Sequence, residues 1–161
     1  MFDSSRIAAT AIVLVVASLL LRERAHGQSR QPLQHFSIAS LAIETTGGMR
    51  QFKVEVAKTP GQHAQGLMFR RRLAADAGML FVYPRAGIIV MWMQNTYIPL
   101  DMLFIDANLR IAHIVQRTIP LSTETINSLV PALSVLELNA GTVSKFGIKR
   151  GDMVLSSAFG K

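Results

Sequence analysis

The chain has 161 residues, half of them hydrophobic, with 17 Lys+Arg against 10 Asp+Glu and no cysteine. That length holds one ordinary domain and a short extension, with a core large enough to confine disorder to the ends. The missing cysteines exclude disulfides, thiolate metal sites and a cysteine nucleophile.

Ile7 to Leu21 is a run of fifteen residues without a charge, preceded by Arg6 and followed by Arg22, Glu23 and Arg24. A spanning helix needs about 20 apolar residues, whereas the apolar region of an export signal has about 7–15. Residues 1–27 therefore read as an export signal, with a small-x-small site at Ala25-His26-Gly27. The charges at 22–24 keep the alternative open, a retained N-terminal anchor in the inner membrane. Residues 28–36 read as a linker, because the polar stretch from 22 onward carries Gly27, Ser29 and Pro32. Residues 37–161 read as a single β-rich domain. Export would place the domain in the periplasm or cell envelope, with membrane association through residues 7–21.

Leu41-Ala42-Ile43 and Phe52-Lys53-Val54-Glu55-Val56 straddle Gly47-Gly48 and predict a hairpin with one buried and one wet face. Gly61 to Leu73 predicts a helix whose last turn carries Arg70, Arg71 and Arg72 toward the negative end of the dipole. The triple arginine reads as a solvated helix end rather than a nucleic-acid contact, and export argues the same way. Gly78 to Tyr83 predicts a buried strand stopped by Pro84, and Ile88 to Met93 a further strand. Met102 to Ile105 and Ile111 to Val115 predict strands joined by an Asx-type turn at Asp106-Ala107-Asn108-Leu109. A strand at Leu133 to Leu138, a short helix at Ala140 to Phe146 ended by Gly147, and a closing strand at Asp152 to Leu155 complete the series. The fold class is α+β, mainly β: a compact barrel-like antiparallel sheet with one or two short helices.

No nucleophile elbow, zincin helix, P-loop or dinucleotide fingerprint appears, so no catalytic residue is assigned and no metal or cofactor is expected. His26, His35, His63 and His113 are isolated, and His113 reads as a core or edge histidine. Met68, Met79, Met91, Met93 and Met102 read first as core filling, with a soft ligand pocket as the other use of thioethers. The polar candidates are Asn95, Thr96, Asp101, Glu137 and Asp152, set at strand ends or inside apolar runs. Glu137 alternates away from Leu136 and Leu138. If it lines a cavity, desolvation raises its pKa unless a cation such as Arg70 compensates. Asp101 with Glu137 would then be an acid/base pair for hydrolysis. The plainer reading is that Asn95, Thr96 and Asp101 fix a loop through backbone hydrogen bonds.

These residues also carry a resemblance. Gly66-Leu67-Met68-Phe69-Arg70, Gly78-Met79-Leu80-Phe81, Trp92-Met93-Gln94-Asn95-Thr96 and Ile98-Pro99-Leu100-Asp101 fall in a distinctive order. Phe104-Ile105-Asp106, Leu136-Glu137-Leu138-Asn139-Ala140-Gly141 and Gly147-Ile148-Lys149-Arg150-Gly151-Asp152 follow. Over residues 52–156 the chain resembles the domain of unknown function (DUF) family 192. The resemblance implies a small, often exported prokaryotic protein with a compact β-rich fold, and it implies no reaction. Gln94 stands where the family commonly has lysine or arginine, His63 where arginine is frequent, and Leu109 where a hairpin glycine is usual. The first two changes would weaken any anion site near Trp92, and the third would alter the turn.

The leading expectation is a non-enzymatic envelope domain that binds a small ligand or an envelope protein partner, not nucleic acid. Trp92, Asn95, Thr96 and Asp101 would form the recognition edge, with Arg70, Glu137 and Asp152 beside it. The alternative is a carboxylate-dependent hydrolase acting on an envelope polymer. Mass spectrometry of the native protein is expected to find a new N-terminus near residue 28; an intact Met1 in the membrane fraction would establish the anchor instead.

Overall fold

The computed structural model describes residues 33–159, and the compact unit begins at Gln34. The expected export signal at 1–27, and residues 28–32 of the expected linker, lie outside the described residues. Residues 34–36 of that linker are tied to the domain. The Gln34 N–H donates to Gln65 Oε1 (2.7 Å), Gln62 Nε2 donates to the His35 carbonyl (2.8 Å), and Phe36 is buried. Among the described residues no helix is long and apolar enough to cross a membrane.

Strands β1 (Ser37–Thr45) and β2 (Gly48–Ala57) form the expected hairpin, with Leu41 opposite Phe52 and Thr45 opposite Gly48. Phe52, Val54 and Val56 are buried while Lys53 is exposed, as alternation requires. Helix α1 (Pro60–Gln65) starts at a capping box: Thr59 Oγ1 accepts from the Gln62 N–H, and the Gln62 side chain accepts from the Thr59 N–H. The helix is shorter than expected. Gly66 leaves helical geometry at φ 48°, ψ −137°, a region open to glycine, so the three arginines stand outside α1 and do not cap its dipole.

Strand β3 (Ala77–Gly87) runs past Pro84 instead of stopping there. Its pairing with β8 (Ala132–Asn139) shifts register between Val82 and Gly87, so the proline falls where the ladder is already interrupted. The strand expected at 88–93 shrinks to β4 (Val90–Met91), which pairs with β7 (Ile126–Asn127). Strands β5 (Leu100–Ile105) and β6 (Ile111–Val115) flank the predicted turn. There Asp106 Oδ1 accepts from the Asn108 and Arg110 N–H groups. Leu109 adopts φ 61°, the left-handed geometry that glycine takes freely and leucine seldom does. Helix α2 (Thr142–Phe146) ends at Gly147 as expected (φ 63°), and β9 (Met153–Ser156) follows.

The main sheet has the order β6-β5-β8-β3-β2-β1-β9. Every pair is antiparallel except β2–β3, whose crossover carries α1. The sheet curls until its edge strands meet at one end. Arg110 bridges Met153, the Ile111 N–H donates to the Asp152 carbonyl (3.0 Å), and the Val154 N–H to the Leu109 carbonyl (2.8 Å).

Two apolar clusters lie on opposite faces of the sheet. The inner one gathers Leu41, Ile43, Val54, Leu80, Leu103, Leu136 and Leu138. The outer one gathers Met79, Phe81, Met102, Phe104 and Val135 beneath Ile89, Met91, Met93 and Ile98. Central strands buried on both faces read as continuous apolar runs, which is how β5 appears. The cover over the outer face is strapped down by backbone hydrogen bonds: Met93 N–H to Ser122 O (3.1 Å), Leu121 N–H to Thr96 O (3.0 Å) and Ser128 N–H to Ile89 O (2.9 Å).

Gly78 makes this packing possible. A Cβ there would stand 2.6 Å from the Glu137 carbonyl oxygen and 2.7 Å from Leu138 Cδ2. Gly78→Ala is therefore expected to destabilise the domain by about 1–3 kcal/mol, the usual range for overpacking, measured by chemical denaturation. An unchanged midpoint would show that β3 and β8 separate without cost.

Candidate functional site

The register across the sheet assigns each candidate residue to a face. Glu55 pairs Met79, Met79 pairs Glu137, and Glu137 pairs Met102, so these four share the outer face. Asp101 pairs Leu138 and belongs to the inner face. Asp101 and Glu137 are thus on opposite sides of one sheet, and the expected acid/base pair does not form. Asp101 is fully buried, where Oδ1 accepts from the Arg117 N–H (2.9 Å) and Oδ2 from the Val143 N–H (2.9 Å) in the first turn of α2. It ties β5 to a loop and a helix. Asp152, also buried, accepts from the Lys149 N–H (2.9 Å) and closes a turn far along the chain from the Trp92 segment.

Arg70 does not serve Glu137 either. Its guanidinium forms a two-pronged pair with Glu55, Nη1 to Oε1 and Nη2 to Oε2 (2.7 Å), and lies over the Phe36 ring. The hydrogen bond to Glu55 raises the arginine pKa further. Glu55 stands two strands from Glu137, about 10 Å at normal strand spacing, with Met79 between them.

Glu137, Trp92 and Thr96 do come together. With His63, Met68, Tyr83 and Met91 they line a cavity of about 260 Å³ between the outer sheet face, α1 and the cover. Trp92 is half exposed at 49%, the partial burial expected of a residue at a pocket mouth. Thr96 is buried and its hydroxyl donates to the Gln94 carbonyl (3.3 Å). Asn95 is outside the lining. It holds a left-handed turn (φ 55°), its carbonyl accepts from the Phe69 N–H (2.8 Å), and its Nδ2 faces Met68 Sδ (3.9 Å). Its backbone shapes the turn, and its side chain reaches the Met68 sulfur rather than a turn backbone group.

Tyr83 was not legible as a site residue, and His63 was set near the Trp92 segment only through the resemblance. The His63 ring lies against Tyr83 (4.5 Å between centroids), and its Nε2 is 3.0 Å from the Ala57 carbonyl. The Tyr83 hydroxyl points to Met91 Sδ (3.8 Å). Alternation places Met79, Phe81 and Tyr83 on one face, but only the β3–β8 register shows that Glu137 shares it. Met79, Met93 and Met102 fill the core as expected, whereas Met68 and Met91 reach the cavity. His113 sits on edge strand β6, stacked on Phe104 (5.7 Å).

The cavity floor carries the site's chemistry. Glu137 is 4% exposed, and among the described residues no group donates a hydrogen bond to its carboxyl. Burial raises its pKa from 4.5 to about 8, and its charge in turn helps burial raise the Tyr83 phenol. Among the described residues no cluster of three His, Asp or Glu is placed to hold a metal ion. A larger open groove of about 610 Å³ runs along β1, β2 and β9, but the polar side chains on it, such as Gln51, Lys53 and Asp76, are exposed.

The architecture is that of a small curled β-sheet domain with a covered outer face and one acid-floored pocket. Residues 42–156 match the DUF192 model, described as "Uncharacterized ACR", and the chain belongs to that family. Two crystal structures are similar throughout the domain. One, from Sinorhizobium meliloti 1021, is described as a "putative transcription regulator"; it is 40% identical, with a TM-score of 0.76 over 78% of this chain and 98% of that one. The other, a protein of unknown function from Novosphingobium aromaticivorans DSM 12444, is 34% identical, with a TM-score of 0.74 over 78% of this chain and 89% of that one. No match is found among curated proteins.

The raised pKa fixes a sign for stability. Between pH 4.5 and about 8 the folded state holds a proton that the unfolded state has released, so Glu137 makes stability fall as pH rises through that window. Glu137→Gln is expected to flatten this slope and to stabilise the protein at pH 9 by a few kcal/mol, on the order of the shift. Equal slopes for both proteins in pH-resolved denaturation would show that the carboxyl is solvated.

Proposed function

We propose that this chain is an exported cell-envelope domain that binds a small ligand without transforming it, in the pocket floored by Glu137 and bounded by Trp92 and Thr96. One observation carries the reading: a buried carboxyl, without a hydrogen-bond donor among the described residues, opens into a cavity lined in part by aromatic rings and thioethers. Concave sites that combine apolar walls with a few aimed polar groups are the usual form of small-ligand sites. Export rests on the charge-free run at Ile7 to Leu21. The hydrolase alternative loses its carboxylate pair, since Asp101 and Glu137 lie on opposite faces.

A protein partner is the second reading, favoured by the exposed Val90, Trp92, Ile119 and Leu121 on the two segments of the cover. A regulator that reads DNA, as the description of the Sinorhizobium protein suggests for that protein, is a weaker fit. The described helices have six and five residues, too short for a recognition helix.

Trp92→Ala is expected to abolish ligand-induced thermal stabilisation while costing about 1 kcal/mol or less in the free protein, because half the ring is already in water. Asp101→Ala is expected to do the reverse. It removes acceptors from two backbone N–H groups, one of them fully buried, and should lower the melting temperature while leaving any ligand shift intact. A thermal-shift screen of envelope metabolites against both variants reads the two outcomes. A ligand shift lost in Asp101→Ala but kept in Trp92→Ala would refute this pocket.

A further inference from the structure

The charge of the ligand follows from what lines the cavity, taking the pocket above as the binding site. Two hydroxyls and one imidazole nitrogen on the cavity wall are engaged elsewhere. Tyr83 points to Met91 Sδ (3.8 Å), His63 Nε2 to the Ala57 carbonyl (3.0 Å) and Thr96 to the Gln94 carbonyl (3.3 Å). Although the chain carries a net charge of +7, no lysine or arginine is among the described residues lining the cavity. Arg70, whose partner Glu55 shares this face, is already matched by that carboxylate.

An ionised carboxylate accepts hydrogen bonds and donates none, so its complement must bring N–H or O–H donors and a positive charge. The walls suit the same guest, since the aromatic rings of Trp92 and Tyr83 are groups that attract a cation and the thioethers of Met68 and Met91 accommodate its carbon atoms. A cavity of about 260 Å³ has room for more than a bare ion. We propose that the pocket takes a small organic cation, a protonated amine or guanidinium, with its N–H groups on the Glu137 carboxylate and its carbon chain against Trp92, Tyr83, Met68 and Met91.

The carboxyl must lose its proton before it pairs. The titratable and charged groups around it are Tyr83 on β3, His63 on α1, Glu55 on β2 with its partner Arg70, and, farther off, His113 on β6, which pairs with Phe104 two residues along β5 from Met102. Burial raises the Glu137 pKa to about 8, so cation affinity should rise roughly fifty-fold between pH 6 and pH 8 and level off above.

The test uses the full chain, with calorimetry and the emission of Trp92, its only tryptophan. The probes are n-butylammonium, methylguanidinium, tetramethylammonium, n-butanol and butyrate. Butylammonium or methylguanidinium should bind saturably with the stated pH rise. Tetramethylammonium, which has no N–H, should bind roughly tenfold more weakly or worse. Glu137→Gln, nearly isosteric, should still fold and melt cooperatively, and should lose both the pH rise and at least roughly tenfold in affinity. Amine binding unchanged by Glu137→Gln would overturn the proposal. Stronger binding of butyrate or butanol that needs Glu137 would also overturn it while leaving the pocket as a ligand site. If none of the five probes binds a folded protein, both the cation and the pocket reading fall.

Discussion

The structure depends on covering a sheet on both faces with a single short chain. Strands β3, β5 and β8 bury side chains in an inner and an outer cluster, so the chain must supply a second layer over the outer face. Residues 88–99 and 117–128 supply it, and having little regular structure they hold together by backbone hydrogen bonds between the two segments. A layer built from loops does not fill space as a second sheet would. Where it meets α1 it leaves the Glu137 cavity, while on the opposite face Gly78 lets β3 close against Leu138 of β8.

Four carboxylates show how differently one fold treats the same group. Asp101 receives two backbone N–H donors in the inner core, Asp152 receives one in a turn, and Glu55 receives a guanidinium. Each has the partner that burial of a charge demands. Glu137 is as deeply buried and has none among the described residues. A partnerless buried acid is a standing cost to stability, and such costs are tolerated where something other than stability is being maintained.

The sequence made the strands legible where alternation or turn chemistry was strong. Phe52, Val54 and Val56 declared one face of β2, Asp106 its turn and Gly147 the end of α2. It misled where one residue permits two outcomes. Gly66 ended α1 early, and Pro84 lay within a bulged strand rather than beyond its end. The site was half legible. Trp92, Thr96 and Glu137 could be selected as polar or amphipathic groups in apolar runs, and they share the cavity. That Asp101 would fall on the other face depended on the pairing of β5 with β8, which is separated by more than thirty residues and set by side-chain packing across the sheet. The meeting of His63 with Tyr83 was hidden for the same reason, the two being contributed by elements that meet only after the parallel crossover forms.

The place of β9 has a consequence for biogenesis. It pairs with β1, from the other end of the domain, and touches Arg110 beyond β5. Until β9 leaves the ribosome, β1 lacks that neighbour and the curl is unsealed. Closure of the sheet is therefore a late, long-range event, and the nascent domain must survive with a strand edge open to pairing by other chains. A translocation machine or a holding chaperone that acts on unfolded chains would find its working window in that delay.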